Sequence, residues 1–436
     1  MGLMWWYINH HMKPKVLLLS DDIRSISGVA RISKDIILNT VDQFDWVQLA
    51  AKHTHEEDGL IIDVSKATEE MTGVSDSYVR LYANTGYGDE ITLRRIIKHE
   101  NPDLILHITD PRYWGWLYAM ERYVRQTIPI CYYHVWDNTP PPKFNEGVYK
   151  SCDWIGCISE LTYEMVKQVD SSREQWQTSY IPHGVCPIKY HPTGNADLTL
   201  FKKQIFGDKK YKFVVLSNNV NIPRKQLTTI VSAYSRFGDS LPTLEQKDIL
   251  LIMHTNPKFV SGGELYSVTK DLCPVHDVTF STTLMDDTHL NYLYNISDVT
   301  INVASNEGFG LSTLESILAG TPIIVSKTGG LVDQIYDNEG HIGNWASAIE
   351  PSVRNLTSSQ QVPYIYSDIC SESDVANELS VWYNMTDEER KQRGDAGRSH
   401  AMVHLTSQVM CDNIASGLRM TLENFTPRNR ISLLTV

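Results

Sequence analysis

Three observations predict an α/β protein built of two similar halves. Strand-length apolar runs alternate with helical stretches, a strand, polar loop and helix open the chain at residue 15 and again at residue 211, and 436 residues exceed what one hydrophobic core usually serves. Each opening has a Rossmann-like form, so the expected architecture is two Rossmann-like domains facing across a cleft. Residues 12–190 form the first, 191–210 a polar connection, 211–405 the second, and 406–436 a C-terminal helix returning to the first.

In the first domain the leading strand is Lys15–Ser20 (KVLLLS), followed by the loop DDIRSISGVAR and a helix from about Val29. The loop has no G-x-G-x-x-G fingerprint, which argues against NAD or FAD. Strands are expected at GLIIDV, DLILHIT and IPICYYHV, with helices at DEITLRRIIKHE and GWLYAMERYVRQ, and this alternation predicts a parallel sheet. The second domain opens with YKFVVLSNNVNIPRKQL and continues through the strands in DILLIMHT, DVTFST, DVTINVA and TPIIVS. A last helical stretch, Ser407–Asn424, has no strand after it and is expected to cross back.

Composition narrows the function classes. A content of 42% hydrophobic and 21% charged residues fits a globular protein, and a net charge of −13 argues against a generally basic nucleic-acid binder. No apolar run approaches the roughly 20 residues that span a bilayer. The start, MGLMWWYINHHMKPK, lacks a basic region and a cleavage site, and Trp6 stands where a myristoylation signal requires Ser or Thr; the fold is expected to begin at Met12. Seven scattered cysteines with no C-x-x-C pair read as reduced thiols, so the expected setting is cytoplasmic.

The chemistry concentrates in SNEGFGLSTLESILAGTPIIVS, Ser305–Ser326. With DVTINVA before it, this reads as strand, glycine turn, a helix on Leu311, Leu314, Ile317 and Leu318, a stop at Gly320, and a second buried strand: a βαβ unit. Glu307 lies in the turn, where the N–H groups of the helix start favour anions. Glu315 lies eight residues on, about two turns away. Arg224 and Lys225 sit where the loop after the domain's first strand enters a helix, a place suited to holding an anion. Solvated surface charge is the plain alternative for both pairs.

The ordered set LNYLYNISDVTINVASNEGFGLSTLESILAGTPIIVSKTGGLVDQI, with YIPHGV and RKQL before it, resembles the nucleotide-binding half of retaining glycosyltransferases of the two-Rossmann-domain (GT-B) type, in particular family four. The shared features are the Glu-x7-Glu pair, the Gly-Phe-Gly inside it, the Gly-Thr-Pro after the helix and the Gly-Gly before the next. This resemblance covers roughly the second half of the chain. It implies a UDP-, GDP- or ADP-sugar donor, a UDP-sugar foremost, held mainly by the second domain, with the acceptor approaching from the first. Carried over, Glu307 contacts the donor-sugar hydroxyls, Gly308, Phe309 and Gly310 hold sugar and phosphate through backbone N–H groups, and Leu311 completes the donor-binding set. Glu315 accepts the ribose hydroxyls, and Arg224 with Lys225 clamps the diphosphate. No D-x-D triplet occurs, so no metal ligand is assigned and no metal is required. Many relatives carry an arginine where Val220 or Asn221 stands here, so that either one cationic contact is missing or Arg224 replaces it.

In the first domain, Gly28 in ISGVAR matches the glycine loop that approaches the donor phosphates in relatives, a plain turn glycine being the alternative. Thr109 falls where many relatives have a histidine near the reacting sugar. That makes the adjacent Asp110 a candidate catalytic contact, with helix capping as the alternative. His107 is expected to point away from the crevice, and His134 is a further candidate. The resulting expectation is retaining transfer from a nucleotide-diphosphate sugar to an acceptor hydroxyl on a glycan, a lipid-linked glycan or a small molecule. A hydroxymethylated base of phage DNA as acceptor, a nucleotide-sugar epimerase and a non-catalytic nucleotide-sugar-binding subunit are the alternatives.

Overall fold

The computed structural model describes residues 13–194 and 196–428, and the readings made for Met1–Met12 lie outside the described residues. The backbone forms two compact units. The first takes in the chain up to Val135, Pro141–Pro182 and the chain from Ser407; the second takes in Trp136–Pro140 and His183–Thr406.

An eight-stranded sheet carries the first unit, ordered β3-β4-β2-β1-β5-β6-β7-β8. The strands are β1 (Lys15–Asp21), β2 (Asp45–Lys52), β3 (Ile61–Asp63), β4 (Val79–Thr85), β5 (Leu104–Ile108), β6 (Ile130–His134), β7 (Trp154–Cys157) and β8 (Thr178–Tyr180). Neighbours pair in parallel except β3, which lies antiparallel to β4 at the edge. GLIIDV is therefore not an interior parallel strand: three of its residues pair, and they are largely exposed. The interior places belong to β2 and β4, which apolar patterning does not reveal. Gln48 sits buried mid-way along β2 because its Nε2 donates to the Ser20 hydroxyl and the Asp21 carbonyl, both at 2.7 Å. GWLYAMERYVRQ also departs from expectation, folding as two short helices, Gly115–Ala119 and Glu121–Val124.

The helix Gly28–Thr40 begins where the Ser27 hydroxyl accepts the Ala30 N–H at 3.0 Å. The helix Ser407–Asn424 packs against it within the same unit, as expected. Cys411 Sγ donates to the Asp35 carbonyl at 3.4 Å. Gly417 lies so close to the Trp154 ring that a Cβ there would meet it at 2.2 Å.

A six-stranded, wholly parallel sheet ordered β11-β10-β9-β12-β13-β14 carries the second unit. Its strands are β9 (Phe213–Asn218), β10 (Ile249–His254), β11 (Asp277–Ser281), β12 (Val299–Asn302), β13 (Ile323–Ser326) and β14 (Ala346–Ile349). Counted from its own first strand this is the order 3-2-1-4-5-6 of a doubly wound fold, which reverses between β9 and β12. The six strands β4-β2-β1-β5-β6-β7 repeat that order in the first unit and reverse between β1 and β5. An antiparallel hairpin, β15 (Val353–Thr357) and β16 (Ile365–Ile369), was not legible: β15 is exposed along its length and shows no apolar alternation.

The region between the two domains also differs from expectation. Residues 191–210 contain the helix Ala196–Phe206 and lie within the second unit, the Phe201 ring packing 5.8 Å from Tyr292 and 6.0 Å from His289. Trp136–Pro140, which the sequence assigns to the first domain, also belongs to the second unit. Asn138 ties it there, its Nδ2 donating to Asp368 Oδ2 at 2.9 Å and to Thr328 Oγ1 and the Tyr366 carbonyl at 3.1 Å each. Among the described residues no helix is long and apolar enough to cross a membrane. All seven cysteines are free thiols, and only Cys186 is not buried.

One carboxylate anchors the outer part of the first sheet. Glu100, at the end of the helix Glu90–Glu100, accepts from the Tyr78 hydroxyl at 2.6 Å, the Tyr82 hydroxyl at 2.7 Å and Lys15 Nζ at 3.2 Å. Burial alone would raise its pKa, but these donors outweigh burial and bring it from the ordinary 4.5 down to about 2. Because the folded pKa is the lower one, the stabilisation is complete above the unfolded pKa and is lost as pH falls toward the folded one. Glu100→Gln is expected to destabilise the protein by on the order of 2 kcal/mol at neutral pH. Urea melts of both proteins between neutral pH and about pH 3 should show the gap closing as the wild-type carboxylate protonates. A gap that stays constant with pH would mean that the charge is not what stabilises.

Candidate active site

In a doubly wound sheet the loops leaving the carboxyl ends of the two strands at the reversal point diverge and leave a crevice between them. In the second unit these are the loop after β9, with Arg224 and Lys225, and the loop after β12, with Glu307. The fold thus brings the adjacent Arg224 and Lys225 to Glu307, which follows Lys225 by 82 residues. Arg224 and Lys225 occupy a single 3-10 turn, Pro223–Lys225, ended by Gln226 at φ +50°. The Gln226 amide donates to the Val303 and Asp368 carbonyls, both at 2.9 Å, and so fixes the turn against the β12 loop.

Lys225 Nζ makes a direct ion pair with Glu307 Oε2, and Arg224 Nη1 lies 3.6 Å from the same oxygen while donating to the Asn306 carbonyl at 2.7 Å. Lys225 and Glu307 are buried, whereas the Arg224 side chain keeps 38% of its surface exposed. Burial pushes the Glu307 pKa up, and the two cations more than reverse this, holding it below the usual carboxylate range. Glu307 is an anion at neutral pH. The Asp137 charge also acts on Arg224, so both cations are held at the crevice by neighbouring carboxylates. The solvated-charge alternative does not describe this arrangement.

The glycine turn is built on close backbone contact. Gly310 adopts φ +94°, and a Cβ there would meet Leu331 at 2.6 Å and Thr313 at 2.9 Å. It is also the N-cap of the helix Leu311–Leu318, so no side chain caps that helix start. Gln334 Nε2 holds the turn from behind, donating to the Phe309 carbonyl at 2.6 Å and the Gly310 carbonyl at 3.0 Å. The Gly-Gly pair lies directly against it: a Cβ on Gly329 would stand 1.9 Å from the Glu307 carbonyl oxygen, and one on Gly330 2.1 Å from that of Gly308. The Gly330 N–H donates to the Glu307 carbonyl at 2.9 Å.

Glu315 is buried in the helix that follows, and its Oε2 accepts the Tyr294 hydroxyl at 2.6 Å, the same hydroxyl that receives Asn218 Nδ2 at 2.8 Å. His183, quoted in YIPHGV but given no role from sequence, packs edge-on to Phe309 at 5.5 Å. Burial brings its pKa down to about 3 despite the nearby Glu307 charge, so its imidazole is neutral at physiological pH. Asn138, Thr328 and Asp368 also support the Ser305–Glu307 loop and were missed. Asn138 and Asp368 have no motif around them, Thr328 directly precedes the Gly-Gly pair, and only folding brings the three together.

Gly28 and Asp110 lie at the first unit's own reversal point. Gly28 is the exposed first residue of its helix, after the β1 loop. Asp110 follows β5 and takes the capping role, accepting the Arg112 N–H at 3.0 Å and Arg112 Nε at 2.6 Å. Thr109, beside it, is a non-glycine residue at φ +107°, held by Trp114 Nε1 donating to its hydroxyl at 2.7 Å and the Tyr132 hydroxyl donating to its carbonyl at 3.1 Å. His107 stacks on Tyr132 at 4.7 Å. His134 is fully enclosed between the Tyr132 hydroxyl at 2.8 Å and the Tyr149 hydroxyl at 2.7 Å, and burial lowers its pKa to about 3. Among the described residues no three His, Cys, Asp or Glu side chains gather as a metal site.

Residues 200–351, which contain this site, match the family model described as Glycosyl transferases group 1. An uncharacterized glycosyltransferase of Methanocaldococcus jannaschii is 35% identical over 194 residues, 43% of this chain and 46% of that protein. The chain thus spans about half or less of the length of the curated relatives it matches. Among solved structures, sucrose-phosphate synthase of Thermosynechococcus elongatus superposes with a TM-score of 0.69 at 15% identity, covering 94% of this chain and 100% of that one. HepE of Anabaena, in complex with UDP and glucose, gives 0.66 at 16% identity with 94% and 100% coverage. The chain has the GT-B fold, and its residues 200–351 match the glycosyl transferases group 1 model.

Proposed function

We propose that the chain is a retaining glycosyltransferase that moves a sugar from a nucleotide-diphosphate sugar to an acceptor hydroxyl. The observation that carries this reading is the buried Glu307 carboxylate held by Lys225 and Arg224 at the reversal point of the sheet, within the segment that matches the glycosyltransferase family model. A UDP-sugar is the first donor to test, since the structurally similar HepE is described with UDP and glucose. Acceptors in this reading are a glycan, a lipid-linked glycan or a small molecule, and the free thiols go with a cytoplasmic setting.

In the proposed reaction the acceptor oxygen bonds to the anomeric carbon on the face from which the diphosphate leaves. The bond from that carbon to the phosphate oxygen breaks, and the departing phosphate takes the acceptor proton. Arg224 and Lys225 stabilise the charge that develops on the phosphate, and their partial neutralisation by Glu307 keeps them in place before the donor arrives. Glu307 accepts hydrogen bonds from sugar hydroxyls near the breaking bond. Glu315, further along the helix, accepts the ribose hydroxyls. His183 is neutral and so packs against Phe309 at the site without adding charge.

Incubation with nucleotide sugars and no acceptor should release free nucleotide slowly, with one donor clearly preferred. No release from any donor, alone or with acceptor glycosides, would favour a non-catalytic binding subunit. Arg224→Ala should lower kcat/KM by roughly a hundredfold, the scale for losing one preorganised contact to developing charge. Turnover should persist in EDTA, and a collapse restored by Mg²⁺ or Mn²⁺ would transfer the phosphate role to a metal. Proton NMR of the first product should show the donor's anomeric configuration, and an inverted coupling would defeat the retaining mechanism.

The two glutamates should separate in kinetics. Glu307→Gln should lower kcat while nucleotide affinity stays close to wild type, because the contact serves the reacting sugar. Glu315→Ala should raise KM more than it lowers kcat, since a ribose contact persists from ground to transition state. Glu315→Gln is the control for the buried Tyr294 hydroxyl, which loses its acceptor in the alanine variant. Calorimetry with free nucleotide decides: tight binding by Glu315→Ala would place the ribose contact elsewhere.

A further inference from the structure

The first unit repeats the reversal of the second, between β1 and β5, but carries different groups there. Tyr87 leaves the end of β4 in the sequence Gly86-Tyr87-Gly88, with both glycines at φ +74°. The loop is pinned at its base by the Gly86 N–H donating to the Lys52 carbonyl at 2.7 Å, and Gly88 lies so close to Leu49 that a Cβ there would meet that side chain at 2.8 Å. Tyr113 leaves the end of β5 on the short helix Pro111–Trp114. The two tyrosine rings stack 4.5 Å apart at 7° between planes, and Trp114 braces Tyr87 edge-on at 5.3 Å. Tyr113 is 49% exposed although Tyr87 covers one of its faces.

Polar groups stand beside the stack. Tyr87 donates its hydroxyl to Asp21 Oδ1 at 3.2 Å, and Asp21 Oδ2 accepts the Ser27 hydroxyl at 2.7 Å. Asp110 and Arg112 form an ion pair on the same short turn as Tyr113. A single exposed aromatic is ordinary on a surface. A parallel stack held by two φ-positive glycines, a bracing tryptophan and a carboxylate is a rigid, pre-ordered flat face.

We propose that Tyr113, backed by Tyr87, is a stacking platform for a pyranose ring of the acceptor, with Asp21 and the Asp110–Arg112 pair receiving its hydroxyls. The inference rests on the glycosyl-transfer reading and names the acceptor class within it. A pyranose presents axial C–H bonds of slight positive charge to the negative face of the tyrosine ring, and vicinal hydroxyls that a carboxylate accepts in pairs. The strained Thr109, between β5 and Tyr113, gives the platform a fixed starting direction through its bond from Trp114.

Saturation-transfer NMR on the full chain tests this, with methyl α-D-glucopyranoside, methyl α-D-mannopyranoside, methyl β-D-galactopyranoside and uridine as probes. At least one glycoside should receive saturation, Tyr113→Ala should weaken its affinity about tenfold, and Tyr113→Phe, which keeps the ring, should bind like wild type. No glycoside contact, indifference to Tyr113→Ala, or loss of uridine binding instead of glycoside binding would each overturn the platform. Calorimetric titration of UDP into wild type reports separately on the donor reading. Glycoside binding through Tyr113 without UDP binding would leave the platform standing and defeat the donor assignment; UDP binding without glycoside contact would do the reverse.

Discussion

A carboxylate buried as deeply as Glu307 persists as an anion only against fixed positive charge, and Lys225 with Arg224 supplies that charge from 82 residues earlier in the chain. Parallel strands make this meeting possible. Both loops leave the same edge of the sheet, and the reversal between β9 and β12 leaves room between them. Removing both cations would strand the carboxylate; removing the carboxylate would leave two like charges side by side. The site is therefore held by the same charges that give it chemistry.

Around that ion pair the packing is backbone on backbone. The loop carrying Glu307 and Gly308 lies under Gly329 and Gly330, where any side chain would collide with carbonyl oxygen. Behind it, Gln334 carries the Phe309 and Gly310 carbonyls, while Asn138, Thr328 and Asp368 join the Trp136–Pro140 segment to the hairpin that borders the loop. These contacts leave the turn little freedom before any ligand arrives, which is what electrostatic catalysis requires of its donors and charges.

The two units share strand order and differ in what they place at the reversal. Cations, a glycine turn and an uncapped helix start furnish the second, an arrangement suited to phosphate. Stacked tyrosines and carboxylates furnish the first, an arrangement suited to a neutral polyol. One topology thus presents two chemistries, because the strands set where loops emerge and the loops alone set what they carry.

What was legible in the sequence is what repeats at short range. The β1 and β9 openings, the βαβ unit around Glu307, the stop at Gly320 and the limits of the helix Ser407–Asn424 all follow from local patterning. So does the ordered set of glycines and glutamates that carries the family resemblance. Strands β2 and β4 escaped because Gln48 and other polar residues interrupt their apolar pattern and are satisfied by neighbouring strands. The exposed hairpin escaped because nothing apolar marks it. The sequence by itself determined which residues form each strand, turn and helix of the site, since those depend on neighbours a few positions away. Only the tertiary structure decided that Lys225 meets Glu307, that Tyr87 stacks on Tyr113 and that Asn138 belongs to the second unit, because each of these contacts joins separate loops or elements, and their partners are chosen by strand order, not by spacing along the chain.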